Sequence, residues 1–318
     1  MSKTIRMPGS DKQVSRFFLG TMVVHTDNYE ASAELLDAAL RQGISAFDLA
    51  YVYGGGGTER AVGRWLKERD NREQVYIATK GAHPDQHGPK VNPKAIDADL
   101  RESLSRLQTD YVDAYLLHRD DLNVPVGPIV EALNEHLAAG RVRAFGGSNW
   151  THERIREANA YARARGLVPF TISSPYFGLC EQVDNPWGPG CVSISGAAQQ
   201  AARDYYLEEN MPILAYSSLG RGMLSGRVTR ENYQDLLDQA ALTAYAHEVN
   251  FLRLDRARQL AADKGVSVPQ LALAYILAQP LMVCPIVGAA NEAEIAQTVA
   301  AQDIALSAGE CRWLEEGN

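Results

Sequence analysis

The feature that most restricts the fold of this chain is an alternation of eight short apolar runs with longer segments of helical periodicity. Short apolar runs are typical of buried strands, and amphipathic stretches between them are typical of helices. Strands that alternate with helices form parallel sheets, and eight such units close a barrel. We therefore predict an α/β fold, a (β/α)₈ TIM barrel. The runs are Phe17–Gly20, Ile44–Asp48, Val75–Lys80, Val112–His118, Ala144–Gly147, Val168–Ser173, Ile213–Tyr216 and Met282–Val287.

The segments between the runs carry one apolar stripe each and end at helix stop signals. Glycines follow two of these segments, at Gly43 and Gly166, where a left-handed residue often ends a helix. The stripes predicted to face inward include Leu35, Leu36, Ala39 and Leu40 in one segment and Ile96, Leu100, Leu104 and Leu107 in another.

We predict that residues 1–318 form a single domain, because the 318-residue chain shows no low-complexity linker or break in composition. Two predicted connections are longer than a barrel needs, 178–196 and 217–250. Long loops after barrel strands open onto the C-terminal face, where active sites lie. A surface role for these loops is the alternative.

Composition excludes several partner classes. The net charge is −8 with no basic block, so we do not expect nucleic acid to bind. We find neither a signal peptide nor an apolar stretch long enough to span a membrane. The four cysteines are widely spaced and form no CxxC motif, which favours reduced thiols and a cytoplasmic location. The sequence leaves the oligomeric state open.

Four polar residues stand at or just after the ends of successive predicted strands: Asp48, Tyr53, Lys80 and His118. In a barrel these side chains would converge at one mouth. An ammonium from Lys80 would lower the pKa of the Tyr53 phenol toward the working range, with Asp48 pairing with Lys80. His118 would orient a carbonyl oxygen toward Tyr53. We predict a proton relay at Tyr53 that requires no metal.

Each of these residues has a simpler explanation when taken alone. A tyrosine or histidine near a strand end is often only packed, Asp48 could cap a helix, and Lys80 could be a solvated loop residue. The order of all four on successive strands favours the functional interpretation.

The chain resembles the aldo-keto reductase superfamily along nearly its whole length. The resemblance implies a (β/α)₈ barrel that uses NAD(P)H without a Rossmann domain, with a catalytic tetrad of Asp48, Tyr53, Lys80 and His118. The matching segments are Phe47–Gly54 with Thr58 and Glu59, Ile77–Lys80, Ser103–Asp113, Leu116–His118, Gly146–Asn149, Ala215–Gly222 and Pro285–Gly288.

The resemblance also implies a set of cofactor-binding residues. Gly20, Thr21 and Asp48 would lie near the nicotinamide, Ser148 and Asn149 would bind its carboxamide, and Tyr216 would stack on its ring. The segment 217–222 would lie over the pyrophosphate, through Ser217, Leu219 and Arg221. A glutamine of the family corresponds here to Ser173, whose shorter hydroxyl would have to reach the carboxamide.

The choice between the two nicotinamide cofactors stays open. The resemblance favours NADP(H). Family members that use NADP(H) bind its 2′-phosphate with a Lys or Arg that follows the eighth strand. The corresponding segment offers Gly288, Asn291 and Glu294 but no cation. Glu294 would repel a phosphate and could accept a hydrogen bond from a ribose hydroxyl, which favours NAD(H).

The substrate is weakly encoded. Tyr53 and His118 would hold a carbonyl, Trp187 could supply an apolar wall, and Arg119 could form a polar rim that suits a hydroxylated or sugar-like substrate. Alternatively, Arg119 and Asp120 pair with each other outside the pocket.

Other interpretations concern a metal site and two alternative functions. His83 and His87 have the spacing of metal ligands on a helix, but Pro84 and Gly88 disfavour a helix, so we predict a mobile loop. The function that these residues and the resemblance predict is an NAD(P)H-dependent oxidoreductase that interconverts a carbonyl (aldehyde, ketone or sugar-like) and an alcohol by hydride transfer. The alternative is a cofactor-binding regulatory subunit of the same fold with little turnover. A hydrolase on the same barrel would need a carboxylate pair or a metal cluster.

Overall fold

The structure is a computed structural model, and it describes residues 3–317. Within these residues there are ten strands and twelve α-helices. The strands are β1 (Thr4–Arg6), β2 (Gln13–Ser15), β3 (Phe18–Gly20), β4 (Ala46–Asp48), β5 (Tyr76–Gly81), β6 (Val112–Leu117), β7 (Val142–Ser148), β8 (Ile172–Ser174), β9 (Ile213–Ala215) and β10 (Val283–Val287). The helices are α1 (Tyr29–Arg41), α2 (Gly57–Arg69), α3 (Pro93–Leu107), α4 (Val126–Ala138), α5 (His152–Ala164), α6 (Gln200–Glu208), α7 (Tyr233–Leu236), α8 (Gln239–Tyr245), α9 (Glu248–Lys264), α10 (Val268–Ala278), α11 (Glu292–Ala300) and α12 (Ala308–Glu316).

Eight of the strands form a closed barrel, in the order β10-β3-β4-β5-β6-β7-β8-β9. Their pairing is parallel, as in Gly20 opposite Asp48 and Lys80 opposite Leu116. The predicted fold class is therefore confirmed, and each barrel strand overlaps one predicted apolar run. The hairpin of β1 and β2, which pair antiparallel outside the barrel, was not predicted.

The sixth predicted strand begins too early. Residues 168–170 are not in a strand, because two asparagines occupy their backbone groups. Asn134 accepts from the Val168 N–H at 2.9 Å, and Asn159 accepts from the Phe170 N–H at 2.8 Å. Since these amides are already bonded to side chains, β8 starts only at Ile172.

The predicted helical stripes face the interior. In α3 the residues Ile96, Leu100, Leu104 and Leu107 are all buried, and in α1 only Leu40 of the predicted set is half-buried. Helix α1 ends at Arg41 and is followed by Gly43 at φ +83°, and α5 is followed by Gly166 at φ +67°. Both glycines adopt the left-handed conformation that the stop signals predict.

Contacts within the chain group the residues into two units. The first unit holds the described residues up to Ser174 together with Gly288–Glu292, and the second holds Pro175–Val287 and the residues from Ala293 onward. The organisation of residues 1–318 as one domain stays a prediction.

Candidate active site

Backbone hydrogen bonds of the first unit bring the four predicted catalytic residues to adjacent strand ends. Asp48 is the last residue of β4, and Lys80 lies next to the end of β5. The Tyr51 N–H donates to the Lys80 carbonyl at 2.8 Å, which ties the turn before Tyr53 to β5. The His118 N–H donates to the Gly81 carbonyl at 2.8 Å. The convergence expected from the sequence is therefore present.

Asp48 and Lys80 form a buried ion pair. The Lys80 Nζ donates to Asp48 Oδ1 at 2.6 Å and to the Leu49 carbonyl at 3.0 Å, and both side chains are almost fully buried. Burial is the largest single effect and lowers the pKa of Lys80, but the charges and hydrogen bonds of Asp48 and Tyr53 together outweigh it, so the pKa is raised. Lys80 therefore stays an ammonium, held in place by a carboxylate and a carbonyl.

The Lys80 ammonium lies 5.3 Å from the centre of the Tyr53 ring. Lys80 acts to lower the pKa of Tyr53, as expected, but the net shift is upward, so the expectation that the pKa falls toward the working range is wrong for this structure. Burial is the largest effect and raises the pKa of Tyr53 above 10.0, the Asp48 carboxylate raises it further, and the Lys80 charge does not cancel them. Tyr53 is therefore a protonated phenol at neutral pH, and Lys80 limits how far its pKa rises.

His118 is neutral and has an unused polar atom. Its ring centre is 6.0 Å from that of Tyr53, with the rings edge to face. Burial and the nearby Lys80 charge lower its pKa well below 6.5. Its Nδ1 is buried and has no hydrogen-bond partner among residues 3–317. A buried polar atom without a partner is costly, so its presence points to a ligand.

Sequence reasoning missed the contact between His83 and this group. The segment after β5 is not helical, as predicted, but the His83 ring centre is only 4.8 Å from that of His118. The His83 Nδ1 is 2.7 Å from the Pro84 carbonyl, so this nitrogen carries the hydrogen. The position of His83 three residues after Lys80 was the available signal.

The predicted carboxamide-binding residues lie at the end of β7. The Ser148 Oγ donates to the Ser174 carbonyl at 3.1 Å, and the Asn149 Nδ2 lies 3.4 Å from the His118 carbonyl. Asn149 adopts φ +57°, a left-handed conformation that asparagine tolerates. Ser173 is fully buried in β8 opposite Gly147, where an added Cβ would lie 2.5 Å from the Trp150 ring. Only glycine allows that approach.

Gly20 and Thr21 contact the end of β4. Gly20 is opposite Asp48 in the sheet, and the Thr21 Oγ1 donates to the Asp48 carbonyl at 2.8 Å. Both residues therefore lie beside the Asp48–Lys80 pair, and their contact with the nicotinamide stays a prediction.

Arg41 lies near the segment after β10, which contains no cation of its own from residue 288 to residue 294. Gly288 and Asn291 precede Glu292, and Glu294 is an exposed residue of α11. Arg41, at the end of α1, donates from Nη2 to Glu292 Oε2 at 2.7 Å. Together with Gln42 it lowers the pKa of Glu292 to about 2. Our inference that no cation is present in this region is therefore incomplete, because tertiary folding supplies Arg41.

In the second unit, Tyr216 and Trp187 lie together. The ring centres of Tyr216 and Trp187 are 5.9 Å apart. The ring centre of Tyr176 is also 5.9 Å from that of Tyr216, and the backbones of Tyr176 and Tyr216 form an isolated parallel β-bridge. Trp187 is 45% exposed, and its predicted role as an apolar wall is compatible with this exposure.

The loop after β9 has the backbone of an anion-binding turn. Ser217, Gly220, Arg221 and Gly222 all have positive φ values, and consecutive left-handed and right-handed residues make concavities that bind anions. Leu219 precedes the turn. Arg221 forms an ion pair with Asp238, and its guanidinium lies 5.1 Å from the Trp187 ring centre. The donor set of this loop fits a pyrophosphate.

Arg119 and Asp120 do not pair with each other, so that alternative is wrong. Asp120 instead accepts from the Arg154 Nε at 3.1 Å, and Arg154 is a buried residue of α5. The Arg119 carbonyl accepts from Trp150 Nε1 at 3.0 Å. Sequence spacing gave no sign of Arg154, because it lies about thirty residues further along the chain.

The chain is similar to known proteins along nearly its whole length. The family model "Aldo/keto reductase family" matches residues 16–317. The chain belongs to the aldo/keto reductase family. It is 32% identical over 274 residues to the aldo-keto reductase YhdN of Bacillus subtilis, covering 82% of this chain and 75% of that protein. It is 29% identical to a probable voltage-gated potassium channel subunit beta of Oryza sativa, covering 93% and 89%.

The aldo/keto reductase fold is also found by structural comparison. The glycerol dehydrogenase of Gluconobacter oxydans superposes with a TM-score of 0.81 and 25% identity, covering 99% of this chain and 94% of the other. Members of the aldo/keto reductase family generally use NAD(P)H, and membership supports an oxidoreductase. Among the helices of residues 3–317, none has the length and apolar character needed to cross a membrane.

The cysteines are free thiols. Cys180, Cys284 and Cys311 are buried and Cys191 is half-buried. The structure therefore agrees with the reduced state expected from their spacing.

Proposed function

We propose that this protein interconverts a carbonyl and an alcohol with NAD(P)H, using Tyr53 as the proton donor and acceptor. The observation that carries the proposal is the grouping of a protonated Tyr53, a buried Lys80–Asp48 pair and a neutral His118 whose Nδ1 lacks a partner among the described residues. No side-chain ion is needed to polarise the carbonyl, since two neutral polar groups face it from neighbouring strand ends.

The residues divide the chemistry as follows. The bound nicotinamide would supply or accept the hydride. His118 holds the carbonyl oxygen and orients it, and Tyr53 gives its hydroxyl proton to that oxygen as charge develops. Lys80 favours the resulting phenolate, and Asp48 holds the ammonium in place. In the reverse direction the phenolate takes the proton from the alcohol.

The cofactor would be held by the residues that the resemblance assigns to it. Gly20, Thr21, Ser148, Asn149 and Ser173 would form the nicotinamide end. Tyr216, Ser217, Leu219 and Arg221 would bind the ring and the pyrophosphate, where left-handed backbone supports close approach of an anion. Gly288, Asn291 and Glu294 would lie near the adenosine.

The residues near the predicted adenosine site support both NAD(H) and NADP(H). Glu294 and the absence of a cation in segment 288–294 favour NAD(H). Arg41 favours NADP(H), but it is already paired with Glu34 and Glu292. A 2′-phosphate would have to compete with these carboxylates.

We propose a small polar carbonyl compound or alcohol as the substrate. Arg119 and the glycerol dehydrogenase activity in the name of a structural relative support a polar substrate, and Trp187 would form its apolar wall. We further propose a cytoplasmic enzyme of one domain.

The second candidate is a cofactor-binding regulatory subunit with little turnover. It is favoured by the relationship to a channel subunit beta. The complete set of Asp48, Tyr53, Lys80 and His118 supports catalysis instead.

The test is to titrate NADH and NADPH against the purified protein by fluorescence, and then to measure turnover with a panel of aldehydes, ketones, sugars and polyols. Saturable binding with turnover supports the enzyme. Binding without turnover of any compound in either direction would favour the regulatory subunit. Absence of binding to either nucleotide would contradict both.

A further inference from the structure

The loop after β6 is fixed by side chains from the end of β7 and from α5. Trp150 Nε1 donates to the Arg119 carbonyl at 3.0 Å. Arg154 donates from Nε to Asp120 at 3.1 Å and from Nη2 to the Asp121 carbonyl at 3.3 Å. Because Trp150 and Arg154 are both buried, the backbone of Arg119 is held on a rigid support.

The guanidinium of Arg119 forms no ion pair with the described residues, and one of its nitrogens is buried. Its Nη1 is inaccessible to solvent and has no hydrogen-bond partner among residues 3–317. The adjacent carboxylate that would be the obvious partner, Asp120, is committed to Arg154. A half-buried cation with an unused donor is costly to the fold, because neither water nor protein satisfies it.

Arg119 also lies within electrostatic reach of the reacting groups. After burial, which is the dominant effect on both residues, the Arg119 charge helps to lower the pKa of His118 and favours the phenolate of Tyr53. The other cation acting on both is Lys80, which has its own carboxylate in Asp48. Arg119 is therefore the cation near the reacting groups whose charge is left for a ligand.

We propose that Arg119 forms a carboxylate-binding subsite beside Tyr53 and His118, so that the preferred substrate is a carbonyl compound that carries a carboxylate. This inference rests on the proposed reductase function. Guanidinium binds carboxylate through a pair of parallel hydrogen bonds, and a buried Nη1 would be satisfied by one of them. Because Arg154 holds the loop that carries Arg119, Arg154 is a positioning residue for this subsite.

An anionic oxygen could also come from the cofactor. A phosphate of the nucleotide has the same hydrogen-bonding chemistry as a carboxylate. The Arg119→Met variant distinguishes the two sources. If Arg119 binds a substrate carboxylate, the variant binds the substrate more weakly; if it binds a cofactor phosphate, the variant binds NADH and NADPH more weakly.

The experiment compares two aldehydes of nearly the same shape, 4-carboxybenzaldehyde and 4-nitrobenzaldehyde, of which only the first is charged. We expect Arg119→Met to raise KM for the carboxylate substrate about 10- to 100-fold, as the loss of a charge-assisted hydrogen bond predicts. KM for the nitro compound and the Kd of both nucleotides should change by less than about twofold. Arg119→Lys should recover part of the loss, because charge remains without the paired geometry.

The control is Arg101→Met, which removes an exposed arginine that pairs with Asp97 on the same helix. This control should leave KM and kcat for both aldehydes unchanged. Asp120→Asn removes the charge that anchors Arg154, and should raise KM for the carboxylate substrate with kcat for the nitro compound preserved. A purely structural role for Asp120 would instead lower kcat for both compounds.

Equal effects of Arg119→Met on the two aldehydes, or no effect on either, would overturn the subsite. So would a tenfold rise in nucleotide Kd without discrimination between the aldehydes, which would assign Arg119 to the cofactor. If the unaltered protein reduces neither aldehyde, calorimetric titration of benzoate decides the subsite: weaker binding to Arg119→Met than to the unaltered protein supports it, and equal binding rejects it. The proposed oxidoreductase function fails only if no compound of the full panel turns over in either direction.

Discussion

Two buried ionic groups lie along the same two barrel strands, and they differ in whether their polar atoms are satisfied. At the end of β5, Lys80 pairs with Asp48, while neighbouring His118 and Arg119 each keep a buried atom without a partner in the described chain. Near the start of β6, Asp113 accepts from the Ile77 N–H and from Arg72, both at 2.8 Å.

The group around Asp113 completes its hydrogen bonds within the fold. Arg72 also donates to the carbonyls of Val75 and Tyr111, and Lys12 lies 4.0 Å from Asp113. The comparison teaches that a buried charge at a strand end does not by itself indicate catalysis. What distinguishes the Tyr53 group is an unsatisfied donor or acceptor, and this group lies at the C-terminal strand ends where barrel enzymes bind substrates.

The sharpest way to break the comparison is Tyr53→Phe. We expect kcat/KM to fall about 100- to 10,000-fold, because the proton donor is lost while the ring still packs. Thermal unfolding and nucleotide Kd should stay near those of the unaltered protein. Turnover that survives the substitution would exclude Tyr53 as the proton donor.

The opposite pattern is expected from Asp113→Ala. It leaves the Ile77 N–H and the Arg72 guanidinium without their partner, and should lower the free energy of unfolding by about 3 kcal/mol. Urea unfolding measures this, with Asp97→Ala, which removes a half-buried carboxylate paired at the surface with Arg101, as the control. Activity per folded molecule should persist, and a loss of kcat at full folding would contradict a purely structural role.

The charges around Tyr53 can be tested by opposite shifts of a pH profile. Alcohol oxidation needs the phenolate and therefore rises with pH through the pKa of Tyr53. Lys80→Met removes the cation that favours the phenolate, so the rise should move to higher pH. Asp48→Asn removes a negative charge that disfavours it, so the rise should move to lower pH. The same direction of shift in both variants would reject the assignment of Tyr53.

The smallest expected effect concerns the neutral state of His118. Burial lowers the pKa of His118 well below 6.5, so the unfolded chain takes up a proton there that the folded chain does not. Stability should therefore fall as pH drops below about 6.5, by roughly 1 kcal/mol per pH unit for one histidine. Urea unfolding of His118→Asn should show a shallower dependence, and the exposed His87→Asn serves as control. Equal slopes would mean that His118 is charged in the folded protein.

The sequence by itself determined the barrel and the strand ends that carry the predicted tetrad. Eight apolar runs fixed the number and order of strands, because burial between helices requires continuous apolar segments. The same periodicity located Asp48, Lys80 and His118, since each is the last residue of such a run. Tyr53 was placed with them because it lies in the turn after Asp48.

The tertiary structure decided which polar groups are satisfied. The pKa of Tyr53, the partner of Asp120, the contact of His83 with His118 and the approach of Arg41 to Glu292 all depend on residues brought together across distant parts of the chain. Local sequence records what each side chain can donate or accept. Whether a buried donor already has its acceptor depends on folded geometry, and that difference separates the Tyr53 group from the Asp113 group.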